Sequence, residues 1–188
     1  MAQEKAFAGQ LLVASPKLVD PNFRRTVVLV LQHDDDGAFG VVLNRPSPVA
    51  VAQVLPAWHP VVSQPQTLFQ GGPVGLDGAL GVATMLPRAD GRGVVNRVVG
   101  PFGLVDLDAD PADDGVRGIT GLRVFAGHSG WGAGQLEAEV AHGDWYVLAA
   151  DQGDVLAPEP ATLWSRVLRR QGGTLAIVST FPEDASLN

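Results

Sequence analysis

The sequence predicts an α+β fold, a single domain over residues 1–188 whose mostly antiparallel or mixed sheet can curl into a barrel-like form with a few flanking helices. Three observations carry this expectation. Apolar runs of strand length outnumber segments with helical spacing, several neighbouring runs are joined by short turns, and strict strand–helix–strand alternation is absent.

Gln10–Ala14 is a short apolar run stopped by Ser15-Pro16. Thr26–Leu31 is a β-branched run stopped by His33, three aspartates and Gly37, residues that accept turn dihedrals. Phe39–Leu43 resumes the pattern, so 26–43 is expected to form a hairpin with a turn longer than minimal. Ser47-Pro48 offers a capping hydroxyl and an N-terminal proline for a helix over Val49–Leu55, stopped by Pro56. Residues 57–66 are a surface loop anchored by Trp58 and Val61. Thr67–Gln70 and Ala79–Met85 are strands on either side of Gly71-Gly72-Pro73, and Val94–Val99 and Gly103–Leu107 are shorter ones. The Asp-rich stretch 106–115 is a solvated loop.

Ile119–Ala126 is a strand expected to enter a Gly-rich turn over 127–134. Gln135–His142 follows as a helix capped by Gly143, although Leu136, Ala138 and Val140 also fit the alternation of a strand. Trp145–Ala149 is a strand. Pro158–Gln171 is the clearest helix, with Leu163, Val167 and Leu168 on one face and late arginines that suit its C-terminal dipole. Thr174–Val178 is expected as a last strand or an extended tail.

Composition narrows the function. Of 188 residues, 46% are hydrophobic and 18% charged, and 20 acidic against 13 basic residues give a net charge of -7. Such a surface repels polyphosphates and anionic headgroups, so non-specific nucleic-acid binding is not expected. Cysteine is absent, which removes disulfides, thiolate metal sites and a cysteine nucleophile. The N-terminal stretch lacks the apolar core of a signal peptide, and the longest apolar run, Val27–Leu31, is too short to cross a bilayer. A cytoplasmic protein with no membrane association is expected.

Several stretches taken together resemble the YqgE/AlgH family. They are Gly9-Gln10-Leu11-Leu12, Asp20-Pro21, Phe23-Arg24-Arg25-Thr26-Val27 and Leu43-Asn44-Arg45-Pro46 in the first half. Gly71-Gly72-Pro73-Val74, the run from Phe125 to Trp131, Gly134-Gln135-Leu136-Glu137, Gly143-Asp144-Trp145 and Leu163-Trp164 extend the likeness almost end to end. His128 departs from the Tyr found in most members. The resemblance implies a compact cytoplasmic bacterial protein of mixed α/β fold. One branch of the family carries a transcriptional-regulator label, and the family supplies no catalytic residues to carry over.

The residues themselves leave more than one reading. Ser129 beside His128 invites a hydrolase, but a nucleophile elbow needs Gly two residues after the serine and position 131 is tryptophan. The four glycines of 127–134 could instead turn free amides towards an anion, or simply permit a tight turn under an exposed Trp131. Arg24, Arg25 and Arg45 suit carboxylate or phosphate, or internal pairing with Asp20, Asp34 or Glu137. His33 beside three aspartates reads as an acidic turn rather than a hard-metal site, so no metal or cofactor is expected. Arg166, Arg169 and Arg170 read as a solvated helix end.

These readings converge on a non-enzymatic regulatory or binding protein that engages an unidentified protein or a small anionic ligand, with no catalytic residues assigned. The expected ligand-binding set is Arg25, Asn44, Arg45, Gly127, His128, Ser129, Gly130, Trp131, Gln135 and Glu137, with the 127–134 turn lying on the hairpin and bringing Arg25 or Arg45 to Glu137. The alternative is a small hydrolase-like enzyme using the 127–134 segment.

Overall fold

The computed structural model describes residues 7–89, 93–112 and 116–183. Ten strands form one curled, mostly antiparallel sheet: β1 (Gln10–Ala14), β2 (Val27–Asp34), β3 (Gly37–Val42), β4 (Pro46–Ala50), β5 (Thr67–Gln70), β6 (Val74–Met85), β7 (Val95–Val99), β8 (Phe102–Val105), β9 (Ile119–Gly132) and β10 (Trp145–Ala149). The main path runs β10-β1-β2-β3-β9-β6-β8-β7, with β4 paired to β5 and β5 lying parallel to β9. Helices α1 (Val51–Val54), α2 (Gln135–His142), α3 (Gln152–Val155), α4 (Leu163–Gln171) and α5 (Gly173–Val178) flank it. The predicted α+β class with a curled sheet is what the chain adopts.

Burial of both strand faces explains why the sequence reads as apolar runs rather than clean alternation. Leu11, Val13, Val27, Leu29, Phe125 and Phe102 point into the concavity of the sheet, which α3, α4 and α5 close with Val155, Trp164, Val167 and Val178. Leu12, Ala14, Val28 and Val30 point the other way, under Leu136 of α2, Trp131 and Trp145. A third cluster joins Ala83, Met85, Leu122 and Val124 to Val51, Trp58 and Val62 from the connection between β4 and β5. Trp58 also donates its indole N–H to the Leu107 carbonyl at 2.9 Å.

Several expectations need correction. Asp34 pairs directly with Gly37, so the first hairpin turns on only Asp35 and Asp36. Asp34 closes that turn through its own carboxylate, accepting from the Asp36 amide at 2.9 Å and from Gln32 Nε2 at 2.7 Å. Ser47 and Pro48 lie in β4, not at a helix start, because β5 offers them a partner and the Thr67 hydroxyl bonds the Val49 carbonyl at 2.7 Å. Only Val51–Val54 turns helical, with the Gln53 side chain accepting from the Ala50 amide at 3.0 Å. Residues 174–178 belong to helix α5, whose Leu175 and Val178, three apart, share the face packed on the core. The 158–171 segment starts as a 3-10 turn at Pro160–Thr162 and becomes α4 only at Leu163.

The largest correction concerns the Gly-rich segment, which is strand as far as Gly132. Gly132, Trp131, Gly130 and Ser129 pair with Gly37, Ala38, Phe39 and Gly40 of β3. A side chain on Gly37 would sit 2.1 Å from the Trp131 carbonyl oxygen, so glycine is what lets the two strands meet there. Trp131 is consequently buried, 6% exposed, where the sequence suggested an exposed ring.

Candidate functional site

The segment from β9 into α2 is a structural assembly. Ser129 is fully buried and its hydroxyl donates to the Gly71 carbonyl at 3.0 Å. The neighbouring His128 ring packs against Phe39, with centroids 4.9 Å apart, and borders a shallow hollow of about 300 Å³ with Gly127 and Asp77. A triad needs a base oriented on its nucleophile, and this serine spends its proton on a backbone carbonyl. Exposed Gly130 and Gly132 alternate with buried Ser129 and Trp131, so their positions face outward. Gln135 accepts from the Gly132 amide at 3.1 Å and donates to Glu139 at 2.9 Å. Glu139 Oε2 accepts the indole N–H of both Trp131 and Trp145, each at 2.9 Å.

Glu137 meets neither expected arginine. Its carboxylate lies 3.2 Å from Nε2 of buried His33, a contact out of hydrogen-bond alignment, while the His33 ring stacks on Phe7 at 5.1 Å between centroids. The reason is register. Gly37 pairs with Gly132, which places α2 beside the hairpin turn, whereas Arg45 follows the other end of β3. At about 3.3 Å per residue the length of β3 alone separates them by roughly 17 Å. Of the 127–134 segment expected on the hairpin, Ser129–Gly132 pairs with β3, but the ten residues split into two places. Among the described residues there is no cluster of His, Asp or Glu able to hold a metal ion.

Arg25, Asn44 and Arg45 remain together, at a cleft of about 940 Å³ whose lining also includes Arg24, Trp164 and Glu183. Asp20 opens the loop that builds it: its carboxylate accepts from the Asn22 amide at 2.8 Å and its carbonyl from the Arg24 amide at 2.8 Å. Arg25 then takes φ 55, the one non-glycine residue with positive φ among those described. For a residue with a Cβ this costs roughly 1–2 kcal/mol, and Asn44 holds it there. The Asn44 side chain donates to the Arg25 carbonyl at 2.9 Å and accepts from the Val27 amide at 2.9 Å, so this asparagine is a clamp.

The left-handed backbone aims the Arg25 guanidinium across Trp164, 4.0 Å above the ring, and it donates to the Phe181 carbonyl at 2.8 Å. Trp164 is itself fixed by an indole N–H donated to the Ala14 carbonyl at 2.9 Å. Arg45 donates to the Pro21 and Arg24 carbonyls at 2.9 and 3.0 Å. Arg24 is exposed, and its guanidinium has no hydrogen-bond or ion-pair partner among the described residues. Burial depresses the pKa of Arg25; Glu183 opposes that shift and Arg24 adds to it. Burial likewise lowers Arg45, helped by Arg24 and opposed by Asp20. Each of these two guanidinium groups therefore feels a like charge.

No sequence signal pointed to Trp164 as a lining residue of the cleft, or to the arrival of Phe181 and Glu183 there. The Arg170 side chain, expected as a solvated end, grips Asp154 with bonds of 2.6 and 2.8 Å. Fully buried Arg123 was not singled out at all. It donates to the Ala157 and Gln64 carbonyls at 3.1 and 2.7 Å and lies 4.2 Å over Phe69. Burial pushes its pKa down to about 10, which leaves it charged at neutral pH.

Fold and site together define a curled-sheet α+β protein with a cationic surface cleft. The AlgH-like family model matches residues 11–176, and the chain belongs to that family. It is 51% identical to a UPF0301 protein of Streptomyces coelicolor, over 100% of this chain and 98% of that one. It is 48% identical to a UPF0301 protein of Mycobacterium ulcerans, covering 100% and 94% respectively. A crystal structure from Corynebacterium diphtheriae superposes with a TM-score of 0.87 at 37% identity, over 96% of this chain and 95% of that one. The solution structure of the AlgH protein from Pseudomonas aeruginosa gives 0.67 at 27% identity, over 98% and 100%. No helix among the described residues is long and apolar enough to cross a membrane.

Proposed function

We propose that this is a non-enzymatic regulatory or binding protein of the cytoplasm, and that its working surface is the arginine cleft, which takes a carboxylate- or phosphate-bearing ligand. The observation that supports this reading is the gathering of Arg24, Arg25 and Arg45 around one cleft, with Arg24 lacking a partner among the described residues. Guanidinium groups fork to carboxylates and phosphates. A bound anion would relieve the repulsion that Arg24 exerts on Arg25 and on Arg45. The strained Arg25 adds to the case, since sparsely populated backbone conformations gather at functional sites.

The regulator label carried by one branch of the family fits a protein that acts by binding a ligand or another protein. Duplex DNA is a poor candidate: the net charge is -7, and three arginines in a recess present no stripe along a phosphate backbone. The hydrolase reading draws nothing from the buried, backbone-bonded Ser129.

Titration calorimetry with pyrophosphate and with citrate tests the proposal. Saturable binding by the natural chain is expected, with loss in Arg24→Ala, a substitution of an exposed side chain that should leave the fold intact. Absence of binding at millimolar anion, or equal binding by Arg24→Ala, would overturn it.

A further inference from the structure

The chain's own C-terminal segment lies in the arginine cleft. Phe181, Pro182 and Glu183 form one wall of the 940 Å³ hollow, and the same three residues line a smaller one of about 170 Å³ behind it. Val19, Arg24, Arg25 and Trp164 line both hollows. The two hollows therefore adjoin and form one groove walled by this segment. The segment is held by recognition of main chain and charge: Arg25 donates to the Phe181 carbonyl at 2.8 Å, and Glu183 is the acidic group that most opposes the pKa depression of Arg25.

Building on the anion-binding reading, we propose that the groove is a docking site for an extended acidic peptide of a partner protein, and that Phe181–Glu183 is a strap occupying it in cis. The groove is far larger than a single phosphate needs, and one of its walls is the chain's own backbone leaving α5, where the Phe181 amide still donates to the Val178 carbonyl at 3.0 Å. Its chemistry matches such a segment at three levels. The Arg25 guanidinium takes a backbone carbonyl; Arg24, which has no partner among the described residues, can take a second carboxylate beyond the one Glu183 supplies; exposed Val19, 74% accessible, can receive an apolar side chain. Among the described residues three lining arginines face one lining carboxylate, that of Glu183, and this cationic balance favours an acidic partner over a neutral one. Phe181 is itself 44% exposed, so the strap fills the groove incompletely and can be displaced.

The experiment uses the full chain and a fluorescein-labelled peptide with the sequence of residues 179–183, Ser-Thr-Phe-Pro-Glu, read by anisotropy, with pyrophosphate binding measured alongside. The natural chain should bind the peptide saturably, and Glu183→Gln should bind it about two- to five-fold more tightly, the range of an exposed charge pair. Arg24→Ala should bind it less well, and a peptide carrying Gln in place of its Glu should compete poorly. If pyrophosphate binds in an Arg24-dependent way but the peptide does not, the strap proposal falls and the anion-binding reading stands. If neither binds, both fall. Equal peptide affinity in Glu183→Gln and the natural chain would overturn the cis competition at the centre of the proposal. Circular dichroism of Glu183→Gln, a conservative change in an exposed segment, should match the natural chain.

Discussion

Replacing Glu139 by leucine tests how the Gly-rich strand is held. One carboxylate oxygen accepts the indole N–H of Trp131 and of Trp145, and the other accepts from Gln135. The two rings pack edge to face at 6.1 Å, with Phe23 against both, and are 6% and 3% exposed. Glu139→Leu leaves both indole donors without their acceptor in a site that water reaches poorly. At about 1–3 kcal/mol for each stranded donor, the loss should total about 3–4 kcal/mol, since Gln135 is exposed and turns to solvent. For a domain of this size that lowers Tm by roughly 10 °C. Glu139→Gln keeps an oxygen able to accept both indoles and forfeits only the charge assistance, so about 1–2 kcal/mol is expected. Urea unfolding followed by tryptophan fluorescence reads both variants. A Glu139→Leu protein within about 1 kcal/mol of the natural chain would refute the reasoning, as would a Gln variant as damaged as the Leu variant.

Three further outcomes follow from named contacts. Ser129→Ala removes one buried bond to the Gly71 carbonyl, and it should cost about 1–2 kcal/mol in denaturant melts while leaving any esterase-like turnover unchanged; a large activity loss in a folded variant contradicts this. Gly72→Ala would place a methyl 2.2 Å from the His128 carbonyl oxygen at a φ of 153, so the 71–73 turn must pull away from β9, with a loss of at least about 2 kcal/mol; unchanged stability would show that contact to be loose. The Asp34 carboxyl should titrate below the ordinary aspartate range, chiefly because Gln32 and then the Asp36 amide bond its charged form. Its contribution to stability is present above the ordinary value and lost as pH falls through the depressed one, and Gln32→Ala should move the midpoint, followed by carboxyl NMR, back up.

The elements most legible in the sequence were those whose burial repeats every second residue on both faces, β1, β2, β3 and β10, and helix α4, whose Leu163, Val167 and Leu168 share one side. The error at 127–132 has a physical source. Outward positions on a strand usually carry polar side chains, and here glycine occupies Gly130 and Gly132, so the alternation with buried Ser129 and Trp131 leaves little trace in a hydropathy pattern. Gly127, at φ 70, also breaks the phase of β9, and Trp131 joins the cluster under α2 while Phe125 joins the concave core.

The cleft was half legible for a different reason. Asn44 and Arg45 stand beside Arg24 and Arg25 because they flank the two ends of one hairpin, and hairpin pairing is local enough to be read from a turn. Trp164 and Phe181 reach the same place only through the closing of the concave face by α4 and α5, and Phe181 lies 156 residues from the guanidinium that bonds it. No spacing rule carries that far. What fixes the direction of Arg25 locally is backbone strain, visible only in the structure. An arginine at φ 55 is stable because Asn44 pins its carbonyl, and the same asparagine ties down Val27 at the start of β2, so the guanidinium's direction is set by a rigid strand end. Arg25 is therefore oriented before any ligand arrives, and the ordering entropy that a flexible arginine would lose on binding has already been spent in folding. Asn44→Ala should accordingly weaken anion binding even though Asn44 need not touch the anion, because it frees Arg25 to relax out of the left-handed region. Undiminished pyrophosphate affinity in a folded Asn44→Ala chain would mean that Arg24 and Arg45 hold the ligand without it.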